Sequence, residues 1–148
     1  MTGNRKNKLA LDTVSAADHP RSELHVPSAL LELDEAWSDK LTVVFRSDQL
    51  GDGDDELGRH LLIEAVNALA RHPEPPEAIL FYHRGVRLAA EGSPVLEQMR
   101  QLQTNGSCLM ICETSLAAHP EAGATIGRAV PLTELLEQMR RADRIIWF

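Results

Sequence analysis

Two cysteines four residues apart bracket one short apolar run, Gly106-Ser-Cys-Leu-Met-Ile-Cys112-Glu-Thr-Ser115, and the second stands where the run turns polar. A run this short reads as a buried strand rather than a helix, with Gly106 turning the chain in and Glu113-Thr114-Ser115 leading it out. Cys112 then ends a strand, at the edge of an open α/β sheet where the departing loops line a crevice. The thiolate is the nucleophilic form of cysteine, and cationic neighbours favour it. On an extended strand the two Cα atoms would lie roughly 13 Å apart, too far for a disulfide. Both are therefore expected as reduced thiols, which suits a cytoplasmic protein. Cys108, at the start of the run, is expected to be packed and desolvated, and Cys112 to be the reactive thiol.

Two other apolar runs end in residues able to act on such a thiol. Leu41-Thr-Val-Val-Phe45 leads into Arg46-Ser-Asp48, and Ala78-Ile-Leu-Phe-Tyr82 leads into His83-Arg84-Gly85. With these strands in the order 2-1-3, the three ends are neighbours and their side chains converge. In that arrangement Cys112 is the nucleophile, His83, Arg84 and Arg46 supply positive charge, and Asp48 lies beside them. Thr114 and Ser115 offer hydroxyls or backbone N–H groups to developing charge. The competing reading makes Cys112 a small buried hydrophobe and His83 and Arg84 ordinary surface residues. Residue types alone leave both open.

The elements that must position these groups alternate along the chain. Between the first two strands, Leu57, Leu61, Ala65 and Leu69, widened by Leu62 and Val66, form the apolar stripe of a helix over 54–71. Asp54, Asp55 and Glu56 suit its N-terminus. Ser93-Pro94 opens a helix carrying Val95, Leu96, Met99 and Leu102, and Pro131 opens another carrying Leu132, Leu135, Leu136 and Met139. A small strand is expected near the glycines 123–127, and Arg144-Ile-Ile-Trp-Phe148 closes the chain as a last strand. The pattern predicts a three-layer α/β sandwich: a mostly parallel sheet of about five strands, order 2-1-3-4-5, with helices on both faces. Residues 1–26 read as a flexible tail, 27–40 as a short helical extension bearing Leu30, Leu31, Leu33 and Trp37, and 41–148 as the α/β domain.

Composition excludes several functions. A formal charge of −7 over 148 residues disfavours a nucleic-acid surface. No apolar stretch is long enough to cross a membrane. Gly51-Asp-Gly53-Asp-Asp-Glu-Leu-Gly58 follows a strand and opens a helix, but it lacks the phosphate-loop spacing and its aspartates would repel a phosphate. As a calcium loop counted from Asp48 it has Arg59 where a bidentate glutamate is needed. The two cysteines fit no zinc spacing, so neither a metal nor a cofactor is expected. His19, His25, His60, His72 and His119 are scattered and expected to be solvated.

Taken together and in order, four blocks resemble the DsrE/DsrF-like superfamily, and within it the C-terminal domain of YedF-type sulfurtransferase-like proteins. They are Val43-Val-Phe-Arg-Ser-Asp-Gln-Leu-Gly-Asp-Gly-Asp-Asp-Glu-Leu-Gly58, Phe81-Tyr-His-Arg-Gly-Val-Arg-Leu88, Gly92-Ser-Pro-Val-Leu96 and Ile111-Cys-Glu-Thr-Ser-Leu116. The resemblance covers about residues 41–148. It implies a compact parallel α/β domain, assembly into a homo-oligomer, and a cysteine that carries sulfur as a persulfide in a relay between a protein donor and a protein acceptor. The family pattern, approximately Cys-Gly-Thr-Cys-Leu, stands here as Cys112-Glu113-Thr114-Ser115-Leu116, so any two-thiol mechanism is lost. The family asparagine after the second strand is replaced by His83. Residues 1–40 hold no cysteine, so the Cys-Pro domain that precedes the YedF-type domain has no counterpart here. These departures make a non-catalytic oligomeric module with the same fold the alternative.

Overall fold

The structure, a computed structural model, describes residues 39–148. The expectations for the tail and for the helix bearing Leu30 to Trp37 lie outside the described residues. Asp39–Phe148 forms one compact unit.

Strand β1 (Leu41–Phe45) is β-branched and aromatic, and buried from Thr42 onward. Helix α1 (Asp55–Arg71) follows, capped by the Asp54 carboxylate, which accepts from the Leu57 N–H at 3.0 Å. The acidic turn thus caps a helix rather than holding an ion. After β2 (Ala78–Phe81) the chain makes a 3-10 helix (His83–Ala89), then α2 (Leu96–Thr104). Pro94 lies ahead of α2, which begins two residues later than its sequence suggests. Gly106, at φ 110, turns α2 into β3 (Cys108–Cys112), and the Ser107 hydroxyl donates to the Pro76 carbonyl at 2.7 Å, tying the start of β3 to the start of β2. The polar residues after Cys112 form a short helix, α3 (Glu113–Ala118). Strand β4 (Arg128–Val130), α4 (Leu132–Arg141) and β5 (Arg144–Trp147) complete the domain.

All four strand pairings are parallel, and the order is β4-β3-β2-β1-β5. The expected five-strand α/β sandwich is present. Its strand order is not 2-1-3-4-5, because β2 separates β1 from β3. The reason is which face the helices choose. Leu62, Val66 and Ala70 of α1 and Met99 and Leu102 of α2 bury in one cluster with Val43, Phe45, Ile79, Phe81, Leu109 and Ile111. The two helices also touch through Gln98 Nε2, which donates to Asn67 Oδ1 at 2.8 Å. Right-handed crossovers with helices on one face must step in one direction, so β1, β2 and β3 follow in sequence. Helix α4 covers the opposite face through Leu135, which clusters with Val44, Ala78, Leu80, Met110, Cys112 and Val130. A right-handed crossover on that face runs the other way and carries β5 back beside β1.

The opposite face is thinly covered. Of the four apolar residues expected to face inward from α4, Leu135 is buried, whereas Leu132 and Leu136 are 46% and 55% exposed. The outer side of α4 is fastened by Glu137, which accepts from Arg140 and Arg141 at 2.9–3.0 Å. The two guanidiniums, Arg140 first, hold the Glu137 carboxyl down to about 2. Because the folded value lies below the ordinary 4.5, this support is complete above pH 4.5 and disappears as pH falls toward 2. A carboxyl titration followed by NMR should place the Glu137 midpoint at about 2, well below the ordinary 4.5. A midpoint near 4.5 would mean the pairs do not form in solution.

Candidate functional site

Cys112 closes β3 and stands at the N-cap position of α3, with its strand neighbour Ile111 paired to Phe81. Side chains alternate along a strand, so Cys108, Met110 and Cys112 point to the α4 face. There Cys112 is packed with Tyr82, Val130 and Leu135 and is only 2% exposed. Cys108, on the same side at the open end of the strand, is exposed. The expected ordering of the two thiols is therefore reversed: the packed one is Cys112. The cause is the cover supplied by β4 and α4, which leave the start of β3 bare. Next to Cys108, the Arg128 guanidinium bonds Glu134 at 2.6 Å and is held above its ordinary value, chiefly by that carboxylate, with Cys108 a lesser contributor.

The β2 end reaches the cysteine loop directly. The His83 N–H donates to Ser115 Oγ at 2.7 Å, and this bond accompanies a left-handed backbone at His83, φ 52. Such a conformation is uncommon for a residue with a side chain and is retained where the surroundings hold it. The His83 ring stands edge-on to His119, centroids 6.0 Å apart. Ser115 thus acts as an acceptor fixing the neighbouring loop. Thr114 is exposed on α3.

The cations expected around the thiol are placed elsewhere. With β2 between β1 and β3, Arg46 ends a strand two positions from Cys112, on the order of 10 Å away across the sheet. Arg84 reaches toward β1: its Nη2 donates to Ser47 Oγ at 3.2 Å and its Nε lies 3.6 Å from Asp48 Oδ1. Asp48 Oδ2 accepts from Arg87 at 3.3 Å, and Arg87 continues to Glu121 at 3.0 Å, which in turn lies 3.4 Å from His119 Nδ1. The Asp48 and Glu121 hydrogen bonds raise the Arg87 guanidinium above its ordinary value. The Glu121 carboxyl is lowered, first by its own backbone N–H and then by Arg87. The convergence expected from the 2-1-3 order is replaced by a chain of polar contacts, Arg84, Asp48, Arg87, Glu121 and His119, running along the carboxyl edge.

Sequence reading missed Arg87, Glu121 and His119. Part of the signal was present: in a 3-10 helix, residues i and i+3 eclipse, so the spacing Arg84-x-x-Arg87 stacks both guanidiniums on one side. Gly85, between them, makes this possible. A Cβ there would lie 2.1 Å from the Phe45 carbonyl oxygen, so only glycine lets the 3-10 helix rest against the end of β1. Among the described residues, no group of three or more histidines, cysteines and acidic residues is arranged to hold a metal ion, and no helix is long and apolar enough to cross a membrane.

An all-parallel five-strand sheet, helices on both faces and a cysteine closing an interior strand define an α/β protein of the parallel-sheet class. Among solved structures it is similar to the ychN protein of E. coli, with a TM-score of 0.50 and 12% identity, over 74% of this chain and 99% of that one. At that identity the likeness concerns the fold alone. No family model matches the chain, and no curated protein matches it.

Proposed function

We propose that the α/β domain of residues 41–148 is a sulfur-relay-type protein in which Cys112 carries a persulfide, acting as a sulfurtransferase-like carrier in the cytoplasm. The observation that carries this reading is the position of Cys112, at the carboxyl end of β3 and one turn from a Ser115 hydroxyl tied to the β2 loop. In the transfer step the Cys112 thiolate attacks the terminal sulfur of a donor persulfide. The donor S–S bond breaks, a Cys112 persulfide forms, and the donor leaves as a thiol after taking up the proton. The acceptor thiolate repeats the step on Cys112. His83 is tied to the cysteine loop through the Ser115 hydroxyl, while Arg46, Arg84 and Asp48 shape the neighbouring part of that edge. Thr114 and Ser115 contribute hydroxyls. A mass spectrum after incubation with a persulfide donor tests this: the Cys112 peptide should gain the mass of one sulfur atom, and Cys112→Ser should abolish the gain.

A second reading is favoured by the 2% exposure of Cys112 and by Ser115 standing in place of a second cysteine: a non-catalytic oligomeric module. Both readings share a homo-oligomer. Leu132, Leu136 and Trp147, the last 51% exposed, lie on the thinly covered side of the sheet. Large exposed apolar side chains on one side suit association with a second copy. Light scattering at micromolar concentration should give a dimer or larger, and Leu136→Lys should lower the mass. A monomer mass for the unaltered chain would overturn this assignment.

A further inference from the structure

The strand order reverses at β1. The crossovers from β1 through β4 step one way on one face, and the crossover into β5 returns on the other. In an open parallel sheet, a crevice forms outside the carboxyl ends of the strands at such a reversal, and ligands bind there. A cleft of about 530 Å³ lies at this place, bounded by Arg46 beyond β1, Phe148 beyond β5, and Tyr82, His83 and Arg84 beyond β2. Its volume falls within the range of small-molecule sites. It lies at the opposite side of β2 from the end of β3, where Cys112 closes the strand.

The chemistry of the lining is specific. Ser47 Oγ accepts from the Gln49 N–H at 3.3 Å and from Arg84 Nη2 at 3.2 Å, so its own hydrogen is left to donate outward. Arg46 makes no ion pair among the described residues, and its guanidinium is a planar fork suited to carboxylate and phosphate oxygens. His83, whose left-handed backbone is held by Ser115, adds a ring beside them. Donor side chains therefore outnumber the one acidic side chain of the lining, Asp52. Phe148, stacked on Phe45 with centroids 5.1 Å apart, offers aromatic surface next to the polar end. We propose that this cleft is a binding site for a small organic anion, a carboxylate or phosphate monoester, with its charged group on Arg46 and Ser47 and its apolar body against Phe148. The site stands independently of the sulfur-relay reading. It is also distinguishable from non-specific anion binding, which a chain of net charge −7 resists.

The test is a titration of the full chain with phenyl phosphate, benzoate and inorganic phosphate, followed by amide NMR shifts. The organic probes should give saturable shifts confined to residues near 46–52, 82–84 and 148. Arg46→Gln and Ser47→Ala should each weaken binding about tenfold, equivalent to about 1.4 kcal/mol. Arg128→Gln, on β4, should leave it unchanged, as should Cys112→Ser, which removes the proposed sulfur carrier. Phenyl phosphate binding while benzoate does not would assign the charged group to phosphate; the reverse would assign it to carboxylate. Absence of saturable shifts with both organic probes, or full retention of affinity in Arg46→Gln, would overturn the proposal. Inorganic phosphate binding as tightly as phenyl phosphate would overturn the organic body.

Discussion

Gly85→Ala is expected to destabilise the domain by roughly 3 kcal/mol or more, the upper end of what overpacking costs. The added carbon would stand 2.1 Å from the Phe45 carbonyl oxygen and 2.7 Å from the Phe45 carbonyl carbon, and both are backbone atoms of a fully buried strand end. No rotamer change relieves such a contact. The 3-10 helix must lift, which loosens Val86, Leu88 and Ala89 from the core and moves Arg84 and Arg87 away from Asp48. Thermal unfolding should show a fall of about 10 °C or more. Gly123→Ala is the control, since nothing lies within 4 Å of its added carbon and its backbone is not left-handed. If both variants melt with the unaltered protein, the 3-10 helix does not rest on β1 as described.

The same glycine marks how far the sequence is legible. The apolar runs at Leu41–Phe45 and Cys108–Cys112 match the strands residue for residue, because a β-branched or apolar run between turn residues has few other solutions. The strand order was not legible. Amphipathic stripes on α1 and α2 say that each helix covers a sheet, but not that both choose one face, and that choice sets the direction of every crossover. The site inherited the error: with β1 placed beside β3, Arg46 and Arg84 converge on Cys112, whereas with β2 between them they serve the β1 edge. Position along the strand placed Cys112 at the carboxyl edge correctly. Its burial depends on strand parity and on α4 passing over it, neither of which the local sequence around Cys112 contains.

Those two facts determine how the thiols should behave. In the resting protein Cys108 is expected to alkylate first, at a rate close to that of an open thiol, because it is exposed at the start of β3. Cys112 is expected to be far slower, because reagent reaches it only when the layer of Tyr82, Val130 and Leu135 opens. Sulfur transfer through Cys112 must use the same opening. Leu135 is fully buried in that layer, and Leu135→Ala should cost about 2–5 kcal/mol. Where half or more of that loss, about 1–2.5 kcal/mol, acts on the opening that frees Cys112, its alkylation rate rises roughly fivefold or more, since 1.4 kcal/mol is a factor of ten. Far-UV circular dichroism must first show that the variant remains folded; Leu135→Val, a smaller truncation, serves if it does not. Sulfur uptake measured by mass should rise in parallel with the labelling rate, persist in Cys108→Ser and vanish in Cys112→Ser. If the added sulfur sits on Cys108 alone, with Cys112 unmodified even when its cover is loosened, the relay reading fails and the non-catalytic module takes its place.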